Sequence, residues 1–448
     1  DFSLKTDSGF LTLSGTSDLK TGISVNADEP AEYAIILYID LGANLMTAKI
    51  NNVMCGSVSI PDVPVSRLII GSTKEGTGRI EPRQIRLTKN YALFEHFAAT
   101  DALEGSVPCD MDIAGDVKIS KILSNTGFDV FSAKIDASAG SSNSAYKEFD
   151  QVYGEGVFET YILLPEKRDG AYFALYSGNT EVLRVETKNG AWYCGETFLR
   201  DYTRNIWQTV RIDTHPADGK ATVKICGKAV AEVDCTAEYI DGVKIGFDCE
   251  QAGVMWFDDI KAHAYVKADD YPSEPVPAVS EDYNIGIHVC NLWRDSNSGE
   301  GWDSSAPFDE LEPYLGFYDE GNPELADWEI KMMVEHGIDF QHMCWYAPFN
   351  QITAPIKIEK ISGAALHDGY MNALYSDMMT FCIMWENNGV NVSNFDQFKE
   401  YLWNYWKEYY FSDPRYTVLD NSPVLTVWSY GNFVSCFGGE EQAKQAIA

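Results

Sequence analysis

The sequence predicts two β-sandwich (jelly-roll) domains followed by a (β/α)8-type barrel, of which about half is present. Three observations predict this. Over residues 1–268, short runs rich in β-branched and aromatic residues are punctuated by Gly, Asn and Pro, the grammar of antiparallel sandwiches. After Asp282 the pattern turns to strand, helix, strand. Between them, residues 269–281 form a Pro-rich acidic linker.

The 448 residues suffice for two to four domains. Hydrophobic residues make up 45% and aromatics 13%, so the chain can bury real cores. The formal charge is -33, from 34 basic and 67 acidic side chains. That balance argues against nucleic acid and anionic membranes as partners, and suits a secreted or cell-surface protein. No run of 18 apolar residues exists to span a membrane, and no stretch of the sequence is expected to act as a signal peptide. The start at Asp1, in mid-pattern, reads as a processed or trimmed terminus. Ten cysteines are scattered without a CxxC or zinc-finger spacing, and disulfide pairing stays open.

Residues 1–97 read as short strands, such as Phe10–Leu13 and Tyr33–Ile39. Arg83–Tyr91 resembles the last strand of a laminin-G or concanavalin-like sandwich, which implies a partial domain whose N-terminal part lies outside the chain. Residues 100–268 read as a second, complete concanavalin-like sandwich. In it Val157–Leu164 alternates as a half-buried strand does. Ala221–Val233 reads as a hairpin closed at Gly227-Lys228, and Trp256–Lys261 as the final strand. Asp258 and Asp259 read either as ligands of a structural calcium or as a solvated acidic pair.

Residues 282–448 then supply four strand–helix units. Strand one is Tyr283–Trp293. Asn322 and Pro323 cap a helix through Trp328 and Met332, stopped at Gly337. Strand two is Ile338–Tyr346, and a helix lies near Leu366–Ser376. Strand three is the apolar run from Met378 that ends in Glu386, Asn387 and Asn388. Ser393 and Asp396 open a long helix with Phe395, Phe398, Leu402, Tyr405 and Tyr409 at helical spacing. Strand four is Pro423–Tyr430, and a last helix starts near Gly439. A closed barrel has eight such strands. A smaller α/β domain, complete as written, is the alternative.

In β/α barrels chemistry sits at the C-terminal ends of strands. Side chains alternate along a strand, so Glu386 inward carries Thr380, Cys382 and Met384 with it, leaving Phe381, Ile383 and Trp385 to pack under helices. A strand-end carboxylate serves as general acid, base or nucleophile, making Glu386 the catalytic candidate. A structural carboxylate bonded to loop amides is the alternative. Trp345, Tyr346, Trp428 and Tyr430 offer flat faces for sugar C–H surfaces, or else ordinary core packing. Asn387, Asn388 and Asn291 can bond hydroxyls, and His288 faces the same cleft. His288-Val289-Cys290 and His342-Met343-Cys344 repeat one spacing, which suits a His2Cys2 metal set or buried strand-core residues. No phosphate loop or GxSxG elbow occurs. Asn391-Val392-Ser393 matches a glycosylation sequon but reads as a helix cap.

Three segments together resemble glycoside hydrolase family 99 and 71 barrels and the related WbsX-like group. They are Pro313–Asp339, Met343–Tyr346, and Phe381–Asn388 with Asp413–Tyr416 and Ser422–Leu425 behind it. The resemblance implies endo-acting, retaining α-mannoside hydrolysis by two acids after strand three. Glu386 matches the neighbourhood of that pair, while the position three residues on is Gly389. Glu300 and Asp303 are substitutes for the partner, and Trp302 lines the same cleft. The expectation is a secreted glycoside hydrolase with lectin-like accessory domains, acting on a polysaccharide or glycan without a cofactor. A non-catalytic carbohydrate-binding or adhesin-type surface protein is the alternative, and glycosyl transfer a third.

Overall fold

The computed structural model describes residues 3–7, 10–24, 35–40, 45–50, 53–61, 91–95, 97, 104–108, 111–123, 131–265, 271–278, 283–293, 313–315, 318–347, 355–356, 362–388 and 392–446. The chain divides into two compact units: residues 1–89 with 97–110, and residues 90–96 with 111–448.

In the first unit, two three-stranded antiparallel sheets are described, one from Ser3–Asp7, Phe10–Ser14 and Asp18–Ser24, the other from Ile35–Asp40, Leu45–Ile50 and Val53–Ser59. Leu11 and Leu13 of one sheet and Met46, Ala48, Ile50 and Val58 of the other form a shared buried core. The alternation Leu11–Leu13 and Met46–Ala48–Ile50 is what puts these side chains on one face each.

The second unit contains a sandwich of two antiparallel sheets. One runs in the order Lys228–Asp234, Lys220–Ile225, Gln208–His215, Gly156–Leu163, Gly253–Ala264, Ser132–Ala137 and Val117–Ser120. The other runs Thr197–Asp201, Ala191–Cys194, Thr180–Lys188, Ala171–Ser177, Tyr239–Asp248, Ser142–Tyr153 and Asp112–Ala114. Tyr91, expected to end the first sandwich, instead opens the strand Tyr91–Glu95, which pairs with Gly253–Ala264. The rest of the expected segment, 83–90, lies outside the described residues.

Three further departures have physical causes. The 220–234 hairpin turns at Cys226-Gly227, one residue earlier than expected. Both residues have positive φ, 51° and 75°, as a two-residue hairpin turn matched to strand twist requires. The strand Gly156–Leu163 is buried at every position rather than half-buried. Its outward residues Glu159 and Tyr161 line a cavity with His367, Met371 and Asn372 of the α/β part. Asp258 and Asp259 are buried at a bulge opposite Glu159 and Tyr161, not a solvated pair.

The α/β part is a four-stranded parallel sheet in sequence order: Gly286–Val289, Phe340–Tyr346, Thr380–Glu386 and Leu425–Val427. Among the described residues, a closed eight-stranded barrel is not seen. All four strands are shorter than the apolar runs suggested. The first lies against Phe340, whose ring covers Gly286 so closely that an added Cβ would meet it at 2.2 Å.

Helix Pro323–Val334 starts where Asn322 accepts from the Glu324 amide. It stops as expected at Gly337, with φ of 77°, whose amide bonds the Val334 carbonyl. Asp327, fully buried on this helix, accepts from the amides of Leu374 and Tyr375 at 2.8 and 2.7 Å and from the Tyr271 hydroxyl. The described part of the linker is therefore no free spacer. It packs along the helix, with Ala278 donating to the Val334 carbonyl.

The expected helix near 366–376 is broken into short turns. The long helix at 395–411 forms, with π-type turns over Phe398–Trp403 and Lys407–Phe411. Its cap is Asn394, which accepts from the Gln397 amide, while Gln397 returns its carbonyl oxygen to the Ser393 amide. Asn391 lies outside the described residues. Helix Tyr430–Cys436 begins before the expected last helix, Glu440–Ala446, because Ser429 caps it.

Phe381 packs edge-on against Tyr370, Tyr410 and Tyr416, and Trp385 against Phe398, Trp406 and Phe433. These contacts direct the odd-numbered side chains of the third strand under the helices. At its start, Arg415 bonds both oxygens of buried Asp413 and the Ser376 hydroxyl. Tyr416 accepts from the Ile383 amide and donates to the Val424 carbonyl, tying the third strand to the fourth.

Candidate functional site

The residues left on the other face of the parallel sheet form the candidate site. Register fixes their neighbours. His288 pairs with His342, Tyr346 with Glu386, and Met384 with Thr426. Parallel pairing therefore brings Tyr346 and Glu386, the last residues of two strands, to one edge. Trp385 pairs with Val427, so Trp428, just past the fourth strand, falls beside Glu386. Trp428 is 61% exposed and Tyr430 63%. Such exposure of two large rings at the C-terminal edge is not core packing.

Glu386 is half-buried, and among the described residues its carboxylate accepts one bond, from the Asn388 amide at 3.3 Å. Behind it runs a chain of polar contacts. Thr426 Oγ1 lies 2.6 Å from His342 Nε2, and His342 Nδ1 lies 3.2 Å from His288 Nδ1. His288 Nε2 lies 3.4 Å from Cys344 Sγ, and Cys290 Sγ lies 3.3 Å from the Tyr346 hydroxyl. Burial pushes the Cys344 thiol up to about 12. Burial, then the Cys290 contact, raises the Tyr346 phenol, which stays protonated and able to donate. Burial, with His288 beside it, lowers His342, favouring the neutral ring. Among the described residues no three His, Cys, Asp or Glu side chains are grouped to hold a metal ion.

The other expected site residues divide. Asn387 is fully buried and is spent on structure. Its side chain donates to the Ser429 carbonyl and accepts from the Ser429 amide, both at 2.8 Å. It sets the turn that presents Trp428 and Tyr430. Trp345 faces away from the cleft, donating from Nε1 to the Tyr410 hydroxyl at 2.8 Å and packing on Trp406. Asn388 is exposed beside Glu386. Trp302, Glu300 and Asp303 lie outside the described residues.

One acid at this edge was not singled out from the sequence. Glu320 is 8% exposed, just before the cap of helix Pro323–Val334. It accepts from Asn291 Nδ2 at 3.2 Å and from the Trp293 amide at 2.8 Å, both just beyond the first strand. Burial lifts its carboxyl to about 8 against the pull of these donors. An acid immediately ahead of Gly-Asn-Pro, in the loop after a strand, was the available signal.

Its titration has a stability consequence. The folded pKa lies above the ordinary value of 4.5, so its contribution is complete below pH 4.5 and lost as pH rises through about 8. Glu320→Gln should therefore raise stability at pH 9 relative to the parent and leave it nearly unchanged at pH 4. Urea unfolding at the two pH values checks this. An equal effect at both would contradict it.

No protein family and no curated protein matches the chain. Several solved structures show partial likeness. A sialidase is 10% identical over 35% of this chain, with a TM-score of 0.27, and only 16% of the sialidase is covered. The T. cruzi calreticulin globular domain is 12% identical over 39% of this chain and 88% of its own, with a TM-score of 0.30. The Emp46p carbohydrate recognition domain is 10% identical over 35% and 89%, with a TM-score of 0.27. Likenesses this distant assign neither fold nor activity. The family 99 resemblance rests on the sequence motifs alone.

Proposed function

We propose that this edge of the parallel sheet binds a glycan and that Glu386 acts on it, making the protein a glycoside hydrolase of the outer cell surface or the medium. The observation that carries the reading is the register. It places a strand-end carboxylate between a protonated phenol, Tyr346, and an exposed indole, Trp428. An indole face binds the C–H surface of a pyranose, a carboxylate and phenol bond its hydroxyls, and the same carboxylate can move a proton at the glycosidic oxygen. Four parallel strands in sequence order, with helices on one side, fit half of a β/α barrel, whose chemistry lies at this edge. The acidic surface supports a secreted location and a substrate without strong negative charge.

The test of binding is Trp428→Ala. Its ring is exposed, so the fold should be unaffected, with unfolding shifted by no more than about 0.5 kcal/mol. Affinity for an oligosaccharide found by panel screening should fall by roughly 10-fold, the ~1–1.5 kcal/mol expected for one aromatic platform. Unchanged affinity by calorimetry would remove the ring from the site.

A non-catalytic glycan-binding protein is the second reading. It is favoured by Glu320, the other acid placed at this edge. Both its oxygens are engaged by Asn291 and Trp293 rather than turned on Glu386.

A further inference from the structure

Two thiols on the candidate face have no part in the glycan reading. Cys290 follows the first parallel strand and is exposed, while Cys344 lies within the second and is 7% exposed. Pairing of Val289 with Met343 sets Cys290 opposite Cys344 at the next register position. Neighbouring strands run about 4.8 Å apart, inside the roughly 4.4–6.8 Å Cα separation that a disulfide spans. His288 Nε2 stands 3.4 Å from Cys344 Sγ, a base beside the buried thiol. Cys290 and Cys344 are both free thiols.

We propose that Cys290 and Cys344 are a redox-reactive dithiol that closes to a cross-strand disulfide. The oxidant class is a small-molecule disulfide. The Cys290 thiolate, the accessible one, attacks one sulfur of the reagent. The reagent S–S bond breaks, a bond to Cys290 forms, and one thiolate leaves. Cys344 then passes its proton to His288 Nε2, and its sulfur attacks the Cys290 sulfur and expels the second thiolate. Two protein thiols lose two electrons, the reagent becomes two thiols, and the two protons end on them. The order follows from access, since Cys344 is covered and needs a neighbouring base.

Closure withdraws Cys290 from the Tyr346 hydroxyl, 3.3 Å away, and Tyr346 is the strand partner of Glu386. The redox state therefore reaches the proposed glycan site. That consequence rests on the glycan reading, whereas the dithiol chemistry stands without it.

The test treats the full chain with hydroxyethyl disulfide, alkylates the remaining thiols and maps peptides by mass. The expected product is a peptide pair linked through Cys290 and Cys344, with two alkylatable thiols lost. Cys344→Ser should stop at a mixed disulfide on Cys290, and Cys290→Ser should leave Cys344 reduced. His288→Gln should let the mixed disulfide accumulate before closure. Alkylation of both cysteines after treatment, a lasting mixed disulfide on Cys290 of the parent, or linkage to other cysteines would overturn the proposal. Glycan binding is measured on both forms. A disulfide that forms in a protein binding no glycan in either state would sink the glycan reading and leave the dithiol standing.

Discussion

Glu386→Gln should lower glycan hydrolysis by 10²–10⁴-fold, the usual contribution of a positioned acid or base, while glycan affinity and stability stay near those of the parent. The amide keeps the size of the carboxylate and still accepts from the Asn388 amide, the one bond seen for it among the described residues. Little of the fold therefore depends on its charge. Three outcomes separate the readings. Loss of turnover with retained binding is the expected one. Binding without turnover in parent and variant alike identifies a lectin-type surface. Turnover unaffected by the change would move the chemistry elsewhere.

The largest stability effect should come from a residue remote from that edge. Glu408, in the last turns of the 395–411 helix, is buried against the sandwich. It pairs with Arg200 at 2.9 Å and accepts from Gln208 at 2.9 Å and Thr203 at 2.7 Å. Beside it the Tyr409 hydroxyl donates to the Trp207 carbonyl, and Lys228 reaches the Glu408 carbonyl at 2.6 Å. Removing one partner of a buried pair leaves the other charge uncompensated, which costs about 3–5 kcal/mol. Arg200 is one-fifth exposed, so the lower end of that range applies. Glu408→Ala should lower the unfolding midpoint accordingly, and a loss below about 0.5 kcal/mol would contradict the clamp.

This clamp also shows why part of the molecule was not legible in its sequence. Phe398, Leu402, Tyr405 and Tyr409 recur at helical spacing and announced a buried stripe. Glu408 sits in the same helix as a charge among aromatics and reads as solvent-facing. Nothing local says that a second layer, the 208–264 sheet, lies against it. The same cover explains why the alternation at Val157–Leu164 did not mean half-burial. Trp345 was misplaced for a related reason. A parallel strand is apolar on both faces, so Phe340–Tyr346 carries no alternation to say which rings face the cleft. The third strand was readable because its polar end is abrupt. Glu386 bounds an apolar run, and placing it inward forces Phe381 and Trp385 outward, where their ring contacts lie. Asn387 belonged to the same polar end, but its role in holding Ser429 depends on a strand 40 residues later in the fold.

The site itself was legible as a type of chemistry rather than as a geometry. A strand-end acid with aromatics and amides nearby was visible. That Tyr346 and Trp428 flank it, and that Glu320 is tied to Asn291, follows only from pairing register and from the loop that returns to the first strand.

Hydrogen–deuterium exchange of the full chain, with and without a binding oligosaccharide, tests the central placement most directly. Added protection is expected over residues 342–347, 385–388 and 427–432, the ends of the second, third and fourth parallel strands. Protection confined to the sandwich sheets, with these segments exchanging as before, would contradict it.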